Sequence, residues 1–70
     1  MNNKRKLAYY REQKGYTQLE IAEKLLITQQ TVSSWERGRT VPKLHQMKKL
    51  SNVLEIDIDE LFYEEFNVIS

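Results

Sequence analysis

The sequence predicts an all-α fold of five short helices in one compact domain. Three observations support this prediction: apolar residues recur at helical spacing, capping residues precede the predicted helices, and glycines follow two of them. A chain of 70 residues forms a single domain with a small core, because it buries only about 60% of the surface that its unfolded form exposes. We assign one domain to residues 1–70, with a core over residues 3–62 and a short apolar tail over residues 63–70.

The first two helices are marked by a glycine and a capping box. Helix one is predicted over residues 3–14, since Gly15 suits the left-handed residue that ends many helices. Thr17 and Glu20 form a T-x-x-E capping box, in which each side chain accepts from the backbone of the other, so helix two begins here. Its inward-facing residues are predicted to be Ile21, Ala22 and Leu25.

Helix three has two separate faces. Leu26 and Ile27 form a break after helix two, and Thr28 is a suitable N-cap for the next helix. At about 100° per residue, one arc is polar and the opposite arc is mostly apolar. The polar arc contains Gln29, Gln30, Ser33, Ser34 and Arg37. The other contains Thr31, Val32 and Trp35, and Trp35 is predicted to anchor the core.

The last two helices are predicted from a proline and a second capping pattern. Gly38 ends helix three, and Pro42 suits the first turn of helix four. Asp57 and Glu60 repeat the capping pattern before a short helix five. The apolar arc of helix four contains Leu44, Met47, Leu50, Ser51 and Leu54. The tail YEEFNVIS is too short to assign by period, and it packs on helix one, pairs with a second copy or frays.

Composition excludes several classes of function. The chain has no Cys and one His, so neither a disulfide framework nor a metal site is expected, and the chain suits a reducing compartment. Its apolar runs are far shorter than the roughly 20 residues that cross a bilayer. No nucleophile-base set or Gly-rich phosphate loop is present. We therefore expect a cytoplasmic protein that is not an enzyme, uses no cofactor and has no membrane partner.

Charge is distributed unevenly along the chain. Residues 1–54 hold all eleven Lys and Arg and four Glu, a net charge of +7, whereas residues 55–70 hold six acidic residues, a net charge of −6. A basic body with an acidic end favours a polyanionic partner on one side. A solvated surface with an acidic tail is the simpler interpretation of the same charges.

The segment TQLEIAEKLLITQQTVSSWERGRTVPKL (residues 17–44) carries a resemblance to a known family. Together with residues before and after it, the segment resembles the helix-turn-helix of the phage repressor and Cro family, the xenobiotic-response-element type. The likeness covers about residues 7–62. The matching positions are Leu7, Tyr10, Arg11, Gly15, Thr17, Gln18, Ala22, Ile27, Trp35, Glu36, Arg37, Gly38, Pro42, Asp59, Glu60, Leu61 and Phe62.

The resemblance implies a lambda-repressor-like DNA-binding domain. Helix two would lie across the phosphate backbone of double-stranded DNA while helix three enters the major groove. Base-reading positions would be Gln29 and Gln30, with Ser33 and Ser34 one turn deeper. A Gln amide pairs with adenine N6 and N7, a contact that contributes about 1–3 kcal/mol of discrimination. Phosphate contacts would come from Gln18, Thr28, Arg37, Arg39, Thr40 and Lys43.

The resemblance also implies a structural ion pair, and this sequence departs from the family pattern at three positions. Arg11 and Glu36 match a pair that ties helix one to helix three. Breaking it would cost several kcal/mol if the pair is partly buried and under about 1 kcal/mol if it is exposed. Leu26 stands where the family often has Gly, so strain or a different turn is expected. Glu55 also replaces a helix-ending Gly, so helix four would run on or end without a left-handed residue, and Lys43 replaces a capping Ser or Thr.

The sequence therefore predicts a small bacterial or phage transcriptional regulator, specifically a repressor. It would bind a palindromic operator as a homodimer, with half-sites about 34 Å apart. Its activity would be controlled by concentration, turnover or a regulatory protein partner. The alternative is an antitoxin or anti-repressor module that keeps this frame but captures another protein. Candidate dimer contacts are Ile58, Leu61, Phe62, Phe66, Val68 and Ile69.

Overall fold

A computed structural model describes residues 6–62 of the chain. This part contains helices and turns and no strand, which confirms the all-α prediction. The predicted start of helix one and the tail, with its three predicted packing modes, lie outside the described residues. The helices are α1 Lys6–Gln13, α2 Gln18–Leu25, α3 Gln29–Glu36, α4 Leu44–Leu54 and α5 Ile58–Leu61.

The core lies where α2 packs against both α3 and α4. In the same arrangement α1 contacts α3, and α4 contacts α5. Trp35 is buried, as its place on the apolar face of helix three predicted. The buried apolar residues are Leu7, Ile21, Ala22, Leu25, Val32, Trp35, Met47, Leu50, Leu54, Leu61 and Phe62.

Burial corrects two predictions made from helical spacing. Leu44 was placed on the inward face of helix four, but it is 54% exposed, because it lies on the first turn of α4, at the edge of the core. Leu61 and Phe62 were candidate dimer contacts, but both are buried in the core of their own chain. A second copy therefore has no access to them without unfolding this end of the domain.

The helix starts follow their predicted caps in two cases and not in a third. The capping box before α2 is complete: Glu20 N donates to Thr17 Oγ1 at 3.0 Å and Thr17 N donates to Glu20 Oε1 at 2.8 Å. Thr28 Oγ1 accepts from the backbone of the first turn of α3. Asp57 makes no side-chain cap. The reach-back predicted for Glu60 is absent too, since its Oε2 accepts from Tyr10 Oη at 2.9 Å instead.

Four helices end in the same way, with one residue at positive φ. These residues are Gly15, Leu26, Gly38 and Glu55. After α2, Leu26 N donates to Glu23 O at 3.3 Å and Ile27 N donates to Ala22 O at 3.0 Å, the two bonds of a Schellman motif. The prediction that helix four runs on or lacks a left-handed residue is wrong, because Glu55 has φ 59° and ψ 41°.

Two ionic contacts tie α1 and Lys14, the residue after it, to the acidic end of the chain. Lys14 Nζ lies 2.6 Å from Glu55 Oε1, and Lys6 Nζ lies 3.6 Å from Glu60 Oε2. The hydrogen bond from Tyr10 to Glu60 joins the same two regions, and it is the main reason that the pKa of Tyr10 is raised. Part of the acidic end is therefore neutralised by α1. None of the helices within residues 6–62 is long and apolar enough to span a membrane.

Candidate nucleic-acid interface

The first turn of α3 presents two glutamines to solvent. Thr28 caps this turn, with Thr31 N donating to Thr28 Oγ1 at 3.2 Å, and the hydroxyls of the two threonines lie 2.9 Å apart. Gln29 and Gln30 follow the cap, and both are exposed. The opposite side of α3 buries Val32 and Trp35. The glutamines therefore lie on a helix whose opposite face is packed against the core.

The second turn of α3 is less accessible than the first. Ser33 and Ser34 are both half-buried. Ser34 Oγ lies 3.1 Å from Thr40 Oγ1 in the loop that follows α3. The two hydroxyls join the end of α3 to this loop, so a base contact by Ser34 would compete with the Thr40 contact.

Basic side chains surround the C-terminal end of α3. Arg37, Arg39 and Lys43 are exposed, as is Thr40. Among the ion pairs of residues 6–62, none involves Arg37, Arg39 or Lys43. Glu55 and Glu60 of the acidic end pair with Lys14 and Lys6 instead. The positive charge near α3 is therefore available to a polyanion.

The ion pair between Arg11 and Glu36 is present and has little solvent around it. Arg11 Nε lies 2.7 Å from Glu36 Oε2, and the two side chains are 11% and 7% exposed. Arg11 Nη1 also donates to the backbone oxygen of Tyr16 at 2.8 Å. The hydrogen bond to Glu36 raises the pKa of Arg11. This guanidinium thus joins α1 to α3 and to the loop before α2.

Gln18 belongs to the same group of contacts, which the sequence did not indicate. Its side chain is the first of α2 and is half-buried. Gln18 Nε2 donates to Glu36 Oε1 at 2.9 Å. The two residues are 18 positions apart, so neither helical period nor capping pattern would reveal the contact.

The exposed apolar residues beside Pro42 are a second feature that the sequence did not indicate. Val41 and Leu44 are each 54% exposed on either side of Pro42, next to the basic residues after α3. Leu19 on α2 is 49% exposed, and Leu26 in the turn is 86% exposed. The signal for Val41 was its place between Thr40 and Pro42, in a loop that offers no helical face to bury it.

The remaining candidate dimer contact within the described residues is Ile58. It is half-buried and packs against the core cluster. The other three candidates, Phe66, Val68 and Ile69, lie outside the described residues. Within the described residues, Ile58 is thus the candidate that keeps some surface, and Val41 and Leu44 provide further exposed apolar surface after α3.

The five-helix arrangement matches a known protein family over most of the chain. A sequence profile described as Helix-turn-helix matches residues 7–61. The chain belongs to the Cro/C1-type helix-turn-helix family. Membership confirms the resemblance inferred from residues 17–44 and their neighbours.

Curated relatives of this helix-turn-helix protein are named as transcriptional regulators. The chain is 35% identical over 60 residues to the transcriptional activator BcrR of Enterococcus faecalis, covering 86% of the chain and 29% of BcrR. It is 34% identical over 61 residues to the regulator SinR of Bacillus subtilis, covering 86% of the chain and 55% of SinR. An uncharacterized regulator of Methanocaldococcus jannaschii is 34% identical over 62 residues, with 89% and 94% covered. No solved structure matches the chain.

Proposed function

We propose that this helix-turn-helix protein is a sequence-specific DNA-binding transcriptional regulator. The observation that supports this function best is the exposed pair Gln29 and Gln30 on the capped first turn of α3. An exposed α3 enters the major groove, where each Gln amide pairs with an adenine edge. Arg37, Arg39, Thr40 and Lys43 then contact phosphates around the groove and set the register.

Regulation by this protein is proposed to be repression. The support is the resemblance to phage repressors, in which occupancy of a palindromic operator is the regulatory event. The relative BcrR is named as an activator, so the direction of regulation is tested separately from DNA binding. A reporter fused to the bound promoter should fall in output when the protein is produced, and a rise would instead make it an activator. Either direction is consistent with a cytoplasmic location.

A homodimer is proposed because a palindromic site presents two identical half-sites. Two copies related by a two-fold axis place their α3 helices about 34 Å apart along one face of the duplex. The contact between copies should lie near α3, where Val41 and Leu44 provide exposed apolar surface. Ile58 and the tail residues Phe66, Val68 and Ile69 remain proposed contributors.

The DNA-binding function is tested first by selection. The purified chain is incubated with a pool of random-sequence duplexes, and bound DNA is amplified and sequenced over several rounds. We expect enrichment of one palindromic sequence. A pool that stays random after repeated rounds would contradict DNA reading and favour the protein-binding alternative, an antitoxin or anti-repressor.

Substitutions on the selected duplex then assign the roles. Gln29→Ala or Gln30→Ala should weaken binding roughly 5- to 150-fold for each half-site, the equivalent of one bidentate base contact per copy. Gln13→Ala is the matched control, since Gln13 is an exposed glutamine on α1, and it should leave affinity unchanged. Arg39→Ala should weaken binding to all duplexes and reduce the salt slope by about 0.9 for each bound copy.

A further inference from the structure

The carboxylate of Glu36 accepts hydrogen bonds from two other helices at once. Glu36 Oε1 accepts from Gln18 Nε2 at 2.9 Å and from Arg11 Nη2 at 3.1 Å, and Oε2 accepts from Arg11 Nε at 2.7 Å. The Glu36 side chain is among the least exposed polar groups in the described chain. One buried carboxylate therefore links the last residue of α3 to the first residue of α2 and to α1.

This contact determines how the amide of Gln18 is oriented. An ionised carboxylate accepts hydrogen bonds and donates none, so the nitrogen of the amide faces Glu36 and the oxygen does not. The nitrogen carries a second N–H, which the contact with Glu36 leaves unused. Because Gln18 is half-buried, part of its side chain remains at the surface beside the start of α2.

The charge of Arg11 makes this arrangement compatible with a nearby anion. A carboxylate alone at the end of α3 would repel a phosphate group that approached Gln18. The guanidinium of Arg11 contacts both carboxylate oxygens, so the pair carries no net charge. Glu36 can then orient the amide without repelling DNA.

We propose that Glu36 is a positioning residue for a DNA-backbone contact made by Gln18. Glu36 holds the amide at the start of α2 so that its second N–H donates to a phosphate oxygen. A side chain that is already ordered loses less conformational freedom on binding, so the contact is stronger than that of a free glutamine. This inference rests on the proposed DNA-binding function and assigns Glu36 a role at that site.

The test compares phosphate sensitivity in three proteins. Each phosphate of the selected duplex is replaced in turn by an uncharged methylphosphonate, and affinity is measured for the wild-type chain, Gln18→Ala and Glu36→Asp. Glu36→Asp keeps the negative charge but shortens the side chain by one methylene, which draws the carboxylate away from Gln18 and lengthens its contacts with Arg11. In the wild type, one position in each half-site should lose about tenfold in affinity on replacement.

Both variants should lose this sensitivity at that same position. Each should bind the unmodified duplex about a hundredfold more weakly than the wild type, because both copies of a homodimer lose the contact. The double variant should be no weaker than Gln18→Ala, since both changes remove the same contact. Full methylphosphonate sensitivity in Glu36→Asp, or effects that multiply in the double variant, would overturn the proposal. A selection that enriches no sequence would instead remove the proposed function itself.

A second readout separates positioning from a merely structural role of Glu36. Phosphate contacts carry no base information, so Glu36→Asp should keep the wild-type ratio of affinities for the selected duplex and one with a changed base pair. A fall in this ratio would mean that α3 itself has moved.

If Glu36→Asp does not fold, NMR of the wild type decides. One side-chain amide proton of Gln18 should be shifted downfield and protected from exchange, and an unshifted, unprotected amide would contradict the proposal.

Discussion

Leu26 and Glu55 share a left-handed backbone conformation at the ends of α2 and α4. Leu26 has φ 61° and ψ 44°, and Glu55 has φ 59° and ψ 41°. For a residue with a Cβ this conformation costs roughly 1–2 kcal/mol. In both motifs the next residue, Ile27 or Ile56, packs against the core cluster. This packing and the bonds that close the helix ends offset the cost at both positions.

Leu26→Gly should therefore stabilise the domain. Gly removes the steric cost of positive φ. It also makes the unfolded chain more flexible, which lowers the free energy of unfolding by about 0.4–1 kcal/mol. Little burial is lost, because Leu26 is 86% exposed. We expect the free energy of unfolding in urea to rise by about 0.5–1 kcal/mol.

Leu26→Ala is the matched control for this change. It removes most of the exposed side chain but keeps the Cβ and hence the steric cost. We expect no gain in the urea midpoint for Leu26→Ala. An equal gain in both variants would show that the exposed leucine side chain, rather than the backbone, was unfavourable.

The pair formed by Lys14 and Glu55 should make stability depend on pH. The hydrogen bond and charge of Lys14 lower the pKa of Glu55. A lowered carboxyl pKa in the folded state stabilises the protein above the unfolded-state pKa of about 4.3, and this contribution is lost as pH falls through the folded-state pKa. Glu55→Gln lacks the charge but keeps a side chain of similar shape.

Urea unfolding of both proteins measures the effect. The difference in free energy of unfolding between wild type and Glu55→Gln should be small near pH 7, because the pair is exposed. It should shrink as the pH falls through the pKa range of the Glu55 carboxyl, and it should also shrink in high salt. A difference that stays constant with pH would assign the effect of the substitution to something other than charge.

The pair formed by Arg11 and Glu36 should contribute far more to the free energy of unfolding than the exposed pair formed by Lys14 and Glu55. Because the pair is buried, the larger of the two costs inferred from the sequence applies to it. Both side chains are at most 11% exposed. Removing one partner leaves a buried charge without its counter-charge, which costs about 3–5 kcal/mol. We expect Glu36→Gln or Arg11→Met to lower the free energy of unfolding by that amount, measured at low temperature.

The double variant completes a thermodynamic cycle for this pair. The double variant, Arg11→Met with Glu36→Gln, should lose less free energy of unfolding than the sum of the two single losses. The reason is that the double variant leaves no buried charge without a partner. Strict additivity would show that the two groups are solvated separately in the folded protein.

Dimer formation should depend on Leu44. Leu44→Lys places a charge on exposed apolar surface near the end of α3, and the contact between copies is proposed to lie there. Affinity for the selected palindrome should fall at least about tenfold, the factor that corresponds to 1.4 kcal/mol. Affinity for a duplex with one half-site should change little. The mass of the protein-DNA complex should fall from two chains to one.

Leu19→Lys is the matched control for this experiment. Leu19 is 49% exposed, close to the 54% of Leu44, but lies on α2. It should leave the mass of the complex unchanged. Loss of the second copy in both variants would indicate that the effect comes from added charge in general.

The local features of this protein were determined by its sequence alone. Helical spacing and capping act between residues at most four positions apart, so the all-α fold, the Thr17 capping box and the buried Trp35 were all predictable. The same short-range rules placed Gln29 and Gln30 on the polar face of α3, away from its buried side.

The tertiary structure decided everything that depends on distant neighbours. Leu44 and Leu61 both fit an apolar helical face, yet one is exposed and the other buried, because burial also needs an element on the other side. Glu60 leaves its predicted cap for Tyr10, 50 positions away, and Gln18 meets Glu36 across 18 positions. A helical period contains no information on such pairs, since they exist only once the helices have packed.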